Sequence, residues 1–159
     1  MTTSATRVRV AAEEEAPAIA RLISLAFRVE AFFKIGDRTN PDEVRGLMTR
    51  GEFLVLEDPP GMPAGCVYLK IEEGRGHFAM LSIDPVKQGK GFGRALVDEA
   101  EARCRAAGCR HMDIEVVNLR EELPPFYRRL GYVETGTAPF PDMEHSTRPC
   151  HFILMTKAL

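Results

Sequence analysis

Apolar positions change their period several times along the chain, and each change marks a structural element. In "TRVRVA", Val8 and Val10 alternate with arginines, the two-residue period of a short strand. In "EEEAPAIARLISLAFR", Ala16, Ile19, Ala20, Ile23, Ala26 and Phe27 fall at helical spacing and predict an amphipathic helix. Glu13 to Glu15 favour its N-terminus through the helix dipole, and Pro17 suits its first turn. After Asn40, "PDEVRGLMTR" predicts a shorter helix. The segment between them, "VEAFFKIGDRT", carries Phe32 and Phe33, which belong either to the core or to a pocket wall.

Strands follow. "EFLVLED" is one, "PPGMP" is a turn, "AGCVYLKIEE" is the next, and "GRGH" turns into "FAMLSID". That succession predicts an antiparallel meander. A helix runs from the glycine loop to about Ala107, with Phe92, Leu96, Ala100 and Cys104 as its buried stripe and Gly108 as its C-terminal stop. "CRHMDIEVVN" is a strand and "REELPPFYRRL" a helix entered through Pro124 and Pro125. "GYVETG" is a strand, "TAPFPDMEHSTRP" a loop, and "CHFILMTKAL" the closing strand. Strands and helices thus mix in one α/β (α+β) domain spanning 1–159.

Composition adds limits. A net charge of −2 gives no general electrostatic pull toward nucleic acid or an anionic membrane. No apolar run approaches the roughly 20 residues that span a bilayer, and "MTTSATRVRV" lacks the apolar centre of a signal peptide. A cytoplasmic protein without nucleic-acid or membrane partners is expected. Cys66, Cys104, Cys109 and Cys150 have no CxxC spacing, so reduced thiols and no metal site are expected. Cys150 and His151 are neighbours on a strand and so point to opposite faces, which argues against a nucleophile pair.

The candidate chemistry lies in "DPVKQGKGFGRALVDEA", residues 84–100. Gly89, Gly91 and Gly93 precede a helix, with Lys87, Lys90 and Arg94 around them. A helix N-terminus offers unpaired N–H groups, and glycines let the backbone approach a ligand, so the loop reads as an anion cradle. It lacks the GxxxxGK[ST] of a P-loop, and Arg94 stands where the GxGxxG fingerprint needs glycine. A nucleotide-binding module is therefore disfavoured.

The run Gln88-Gly89-Lys90-Gly91-Phe92-Gly93 has the form Q/R-x-x-G-x-G/A after an apolar strand and before an amphipathic helix. It resembles the acyl-CoA-binding motif of the GNAT superfamily of N-acyltransferases. "IEVVN" (114–118) followed by "FYRRLGY" (126–132) is similar to that family's second signature, and "RVRVAAEEEAPAIARLI" resembles its first strand and helix. The resemblance implies a mixed, mostly antiparallel sheet of about seven strands, splayed in the middle and flanked by about four helices.

It also implies site residues and a reaction. Acetyl-CoA would be the co-substrate, without metal, held by Lys87, Gln88, Gly89, Lys90, Gly91, Phe92, Gly93, Arg94, Asn118 and Phe126. The strand residues Leu81, Ser82 and Ile83 would run along the pantetheine arm. The acetyl group would pass directly to a primary amine in a ternary complex. Tyr127 would donate a proton to the leaving thiolate. The strand before the loop, "HFAMLSI", lacks the carboxylate many relatives carry there, leaving His77, Glu115 or a water chain as the base. Glu30, Phe32, Phe33, Glu144 and His145 would meet a small-molecule or peptide amine, with Asp142, Arg148 and Phe140 nearby. Family members often form homodimers. The alternative reading is a non-catalytic acyl-CoA-binding or sensor domain.

Overall fold

The computed structural model describes residues 7–159. Thr6, which the pattern assigns to the first strand, lies outside them. β1 (Arg7–Val10) leads through a short turn into α1 (Ala16–Ala26), and α2 spans Pro41–Met48. β2 (Glu52–Glu57), β3 (Pro63–Glu72) and β4 (Arg75–Ile83) form the predicted meander. Then come α3 (Phe92–Ala106), β5 (His111–Val117), α4 (Leu123–Arg129), β6 (Val133–Pro139) and β7 (His151–Ala158).

The seven strands form one sheet in the order β1-β2-β3-β4-β5-β7-β6. All neighbours are antiparallel except β4 and β5, which are parallel and pair only at Arg75↔His111, Gly76↔Met112 and His77↔Asp113. Beyond His77 the two strands part. A bulge at Met80 (φ 57°) bends β4 at the same level, between the pairs Tyr68↔Ala79 and Cys66↔Ser82.

The sheet buries both faces. One packs on α1 and α2 through Ile19, Ile23, Val44, Phe53, Val55 and Tyr68. The other packs on α3 and α4 through Leu96, Val97, Phe78, Ile114, Tyr127 and Tyr132. Each such apolar side chain contributes roughly 1.5–3 kcal/mol on burial. The predicted α3 stripe, Phe92, Leu96, Ala100 and Cys104, is buried throughout. Gly76 lets α3 approach: a Cβ there would meet Cys104 Sγ at 2.3 Å. Asn40 caps α2, its Oδ1 accepting from Glu43 N at 2.9 Å.

Two boundaries differ from the sequence pattern. The β3–β4 turn is Glu73-Gly74, both at positive φ, so Arg75, Gly76 and His77 belong to β4 rather than to a turn. β6 continues through Thr137, Ala138 and Pro139, which pair with Ile153, Phe152 and His151. Non-local pairing overrides the turn-like composition of "TAPFP". Among the described residues, no helix is long and apolar enough to cross a membrane.

Candidate active site

Where β4 and β5 separate, a cavity of about 320 Å³ opens through the sheet. Phe78, Leu81, Ile114 and Val116 line it from the strands, and Leu123, Phe126 and Tyr127 from α4. The opposite side is built by Phe27, Glu30, Lys34 and Arg38, following α1, and by Phe140, Asp142 and Phe152 around the β6–β7 connection. The lining therefore comes from elements on both faces of the sheet.

Tyr127 sits in this split with its ring 5.0 Å from Phe126 and 5.9 Å from Phe78 and Tyr132, centroid to centroid. Tyr68 donates to Leu47 O (2.8 Å) and Tyr132 to Glu101 Oε2 (2.8 Å), whereas the Tyr127 hydroxyl has no partner among the described residues. No fully buried side-chain polar atom among the described residues lacks a partner, so this hydroxyl opens onto the cavity. Burial pushes its phenol above the usual range, and Arg120 only partly offsets that. A phenol so placed stays protonated at neutral pH and can donate.

The two alternatives for the base turn out to be partners. His77 Nε2–H donates to Glu115 Oε2 across the parting strands. One step back, Arg75 grips Asp113 through two hydrogen bonds of 2.7 and 2.8 Å, and Thr156 Oγ1 donates to Asp113 at 2.7 Å. Arg75 holds the Asp113 carboxyl below the usual carboxylate range. This diagonal pair bridges β4 and β5 beside His77 and Glu115. Glu115 lines the cavity; His77 does not.

Glu30 is 6% exposed and accepts from Arg120 Nη1 at 3.0 Å. Burial pushes its carboxyl up, while Arg120, Arg38 and Lys34 draw it back. Phe33 is fully buried and Phe32 lies outside the cavity under Arg148; of the three phenylalanines expected on the apolar wall only Phe140 lines the cavity, joined there by Phe27 and Phe152. Glu144 and His145 also lie outside the lining. They sit on a loop bound to the Phe32–Phe33 segment by Ile35 N→His145 O (2.8 Å), Thr147 N→Phe33 O (2.7 Å) and the Lys34–Asp142 ion pair. Ligand atoms of Asp142, Glu144 and His145 lie within 4.8 Å of one another. The Asp142 oxygens there are already engaged by Lys34 and by His145 Nδ1 at 2.6 Å.

The glycine loop lies exposed at the α3 N-terminus. Gly91 is the N-cap at φ 81°, and Gly89 has φ 84°; neither has a neighbour where a Cβ would point. The N–H groups of Gln88 to Gly93 donate to no other backbone group among the described residues. A Cβ at Gly93 would lie 3.6 Å from Phe126 and 3.9 Å from Leu81, two residues that line the cavity, so the loop adjoins it. Lys87 and Lys90 both approach Asp58 Oδ2 at 3.6 Å, and Arg94 lies 3.9 Å from Asp98. Ser82 is buried and donates to Met80 O (2.9 Å), so its hydroxyl braces the bulge; of Leu81, Ser82 and Ile83, only Leu81 reaches the cavity. Asn118 Oδ1 accepts from His151 N (2.8 Å), tying β5 to β7. Burial pushes the Cys66 and Cys104 thiols up to about 12, far from nucleophilic range.

Residues 49–134 match the acetyltransferase (GNAT) domain family. The chain belongs to the GNAT acetyltransferase family. Its members transfer acetyl groups from acetyl-CoA. The fold agrees: the chain superposes with a TM-score of 0.78 on the ribosomal-protein-S18-alanine N-acetyltransferase of Escherichia coli, at 15% identity over 96% of this chain and 93% of that one. YncA of Salmonella typhimurium, solved with its cofactor acetyl-CoA, gives 0.75 at 20% identity over 98% and 95%. Mycothiol acetyltransferase of Propionibacterium freudenreichii is 33% identical over 58% of this chain, and that of Kineococcus radiotolerans 30% identical over 60%. The chain spans about a third of the length of these curated relatives, 32% and 30%.

Proposed function

We propose that this GNAT chain transfers the acetyl group of acetyl-CoA directly to a primary amine within a ternary complex. One observation carries the assignment of roles: the unpartnered Tyr127 hydroxyl faces the split between β4 and β5. The free amides of Gln88 to Gly93 would receive the pyrophosphate at the α3 N-terminus. The pantetheine arm would follow β4 past its bulge to Leu81.

Glu115, oriented by His77, takes a proton from the ammonium, directly or through water, to free the nitrogen lone pair. The amine attacks the thioester carbonyl. The C–N bond forms, the C–S bond breaks, and the thiolate takes its proton from Tyr127. Tyr127 is reprotonated by the proton the new amide nitrogen releases. The products are an N-acetyl amide, the free thiol of coenzyme A and one proton given up by the ammonium.

The test is free-thiol release from acetyl-CoA with a panel of primary amines, alongside calorimetric titration of acetyl-CoA. Binding and amine-dependent release are expected. A chain that neither binds acetyl-CoA nor releases thiol with any amine overturns the proposal.

A further inference from the structure

Three cations line the acceptor side of the cavity: Lys34, Arg38 and Arg120. Two of them are committed. Lys34 pairs with Asp142, and Arg120 with Glu30 at 3.0 Å and Glu122 at 3.1 Å. Arg38 makes no ion pair with any described residue. Its guanidinium lies over the Phe27 ring, 5.3 Å from the centroid, and Phe27 also lines the cavity. Glu30 feels Arg38 only at longer range, its direct contact being Arg120.

A stacked guanidinium is stiff and presents a planar fork of donors that matches a carboxylate in two hydrogen bonds. Held half-buried without a counter-ion, it is matched by a ligand that brings one. The same cavity also holds Glu115, whose partner is the imidazole of His77 rather than a Lys or Arg. Glu115 thus supplies negative charge for an ammonium, and Arg38 supplies positive charge for an anion. The two complement a zwitterion. A peptide N-terminus offers the ammonium but places a neutral amide carbonyl where Arg38 seeks an anion.

We infer that the acceptor is a free amino acid, an amine with a carboxylate close to its nitrogen, and that Arg38 binds this carboxylate and sets the specificity. This rests on the acetyltransferase reading above. The experiment first establishes acetyl-CoA binding by calorimetry. It then measures thiol release for the common L-amino acids, their amides and the corresponding decarboxylated amines. A kcat/KM about tenfold or more higher for an acid than for its amide is expected. Arg38→Met should bring that ratio close to one, chiefly by raising KM for the acid. Arg38→Lys, which keeps the charge but loses the fork, should fall between. Amides used as well as acids, an unchanged ratio in both variants, or acetyl-CoA binding with no amino acid turned over would each overturn the inference. Failure to bind acetyl-CoA would instead remove the acetyltransferase reading beneath it.

Discussion

His77 on β4 and Glu115 on β5 are hydrogen-bonded, Nε2 to Oε2, directly above the last paired rung, His77↔Asp113. The contact bridges the mouth of the split and aims a carboxylate into the cavity. β4 itself carries no carboxylate, and in the proposed mechanism Glu115 on the neighbouring strand takes the part of the base. Glu115→Gln should lower kcat about 100-fold, the usual worth of a general base, and leave acetyl-CoA affinity unchanged. His77→Asn should lower kcat less, because it removes orientation and not the base. Glu30→Gln is the control: its oxygen serves Arg120, so its effect should fall on KM. Full kcat in Glu115→Gln with loss in Glu30→Gln would move the base to Glu30.

Tyr127 carries a second expectation. Tyr127→Phe should reduce kcat about 100-fold, with acetyl-CoA binding intact because the ring packing remains. Burial raises its phenol in the folded state above the ordinary value of about 10 found in the unfolded chain. The folded chain therefore holds this proton more tightly. The stability from that difference is fully present below about pH 10 and is lost as pH rises above it. Tyr132, raised by burial and by Glu101, behaves in the same sense. Tyr127→Phe should accordingly make alkaline unfolding less steep. Unchanged kcat across the pH range would return Tyr127 to a packing role.

The elements on each side of the split were legible because their signals are local. The α3 stripe, the proline-entered α4 and the alternating strands need only neighbours in sequence to be read. The glycine loop at the start of α3 was legible for the same reason. The acceptor wall was not. Phe32 and Phe33 resemble a pocket lining, yet Phe33 turns into the core and Phe27, just after α1, lines the cavity. Lys34, Arg38, Arg120 and Phe152 reach the cavity from three separate segments, and only the fold brings them together. The His77–Glu115 contact was half legible. Both residues were singled out as alternatives, but their pairing depends on the parallel β4–β5 register, which no local pattern specifies.

Gly91 separates the loop's two uses of glycine. Its φ of 81° is left-handed, and nothing stands where a Cβ would go. Alanine there is strained by backbone conformation alone, at about 1 kcal/mol. Gly93 is not at positive φ, and its Cβ would meet Phe126 at an ordinary 3.6 Å. Gly91→Ala should lower stability and weaken acetyl-CoA binding together. Gly93→Ala should keep stability and still weaken binding, because the added methyl would stand in the path of the co-substrate as proposed. Calorimetry and thermal melts on both variants measure this. Normal affinity in Gly93→Ala would mean that the co-substrate keeps its distance from that position.

Glu101 offers a stability test away from the cavity. It is a carboxylate on α3 with only 2% exposure. It accepts from Tyr132 Oη at 2.8 Å and from Lys157 Nζ at 2.9 Å, with Arg105 at 3.6 Å. These bonds tie α3 to β7 and to the residue that leads into β6. Removing the carboxylate orphans a buried phenol and strips an ion pair that is dry on one side. Glu101→Ala should therefore cost about 3 kcal/mol, a fall in Tm of roughly 6–12 °C at this size. Lys157→Met should cost less, because the Lys157 side chain is 23% exposed and Tyr132 still satisfies Glu101. Glu101→Leu combined with Tyr132→Phe should recover much of the loss, since no phenol is left orphaned and the 23% exposed Lys157 side chain can turn its ammonium to water. Urea unfolding of the four proteins decides the matter. If Glu101→Ala lies within about 1 kcal/mol of the wild type, the helix is held by the apolar stripe of Leu96, Ala100 and Cys104 alone.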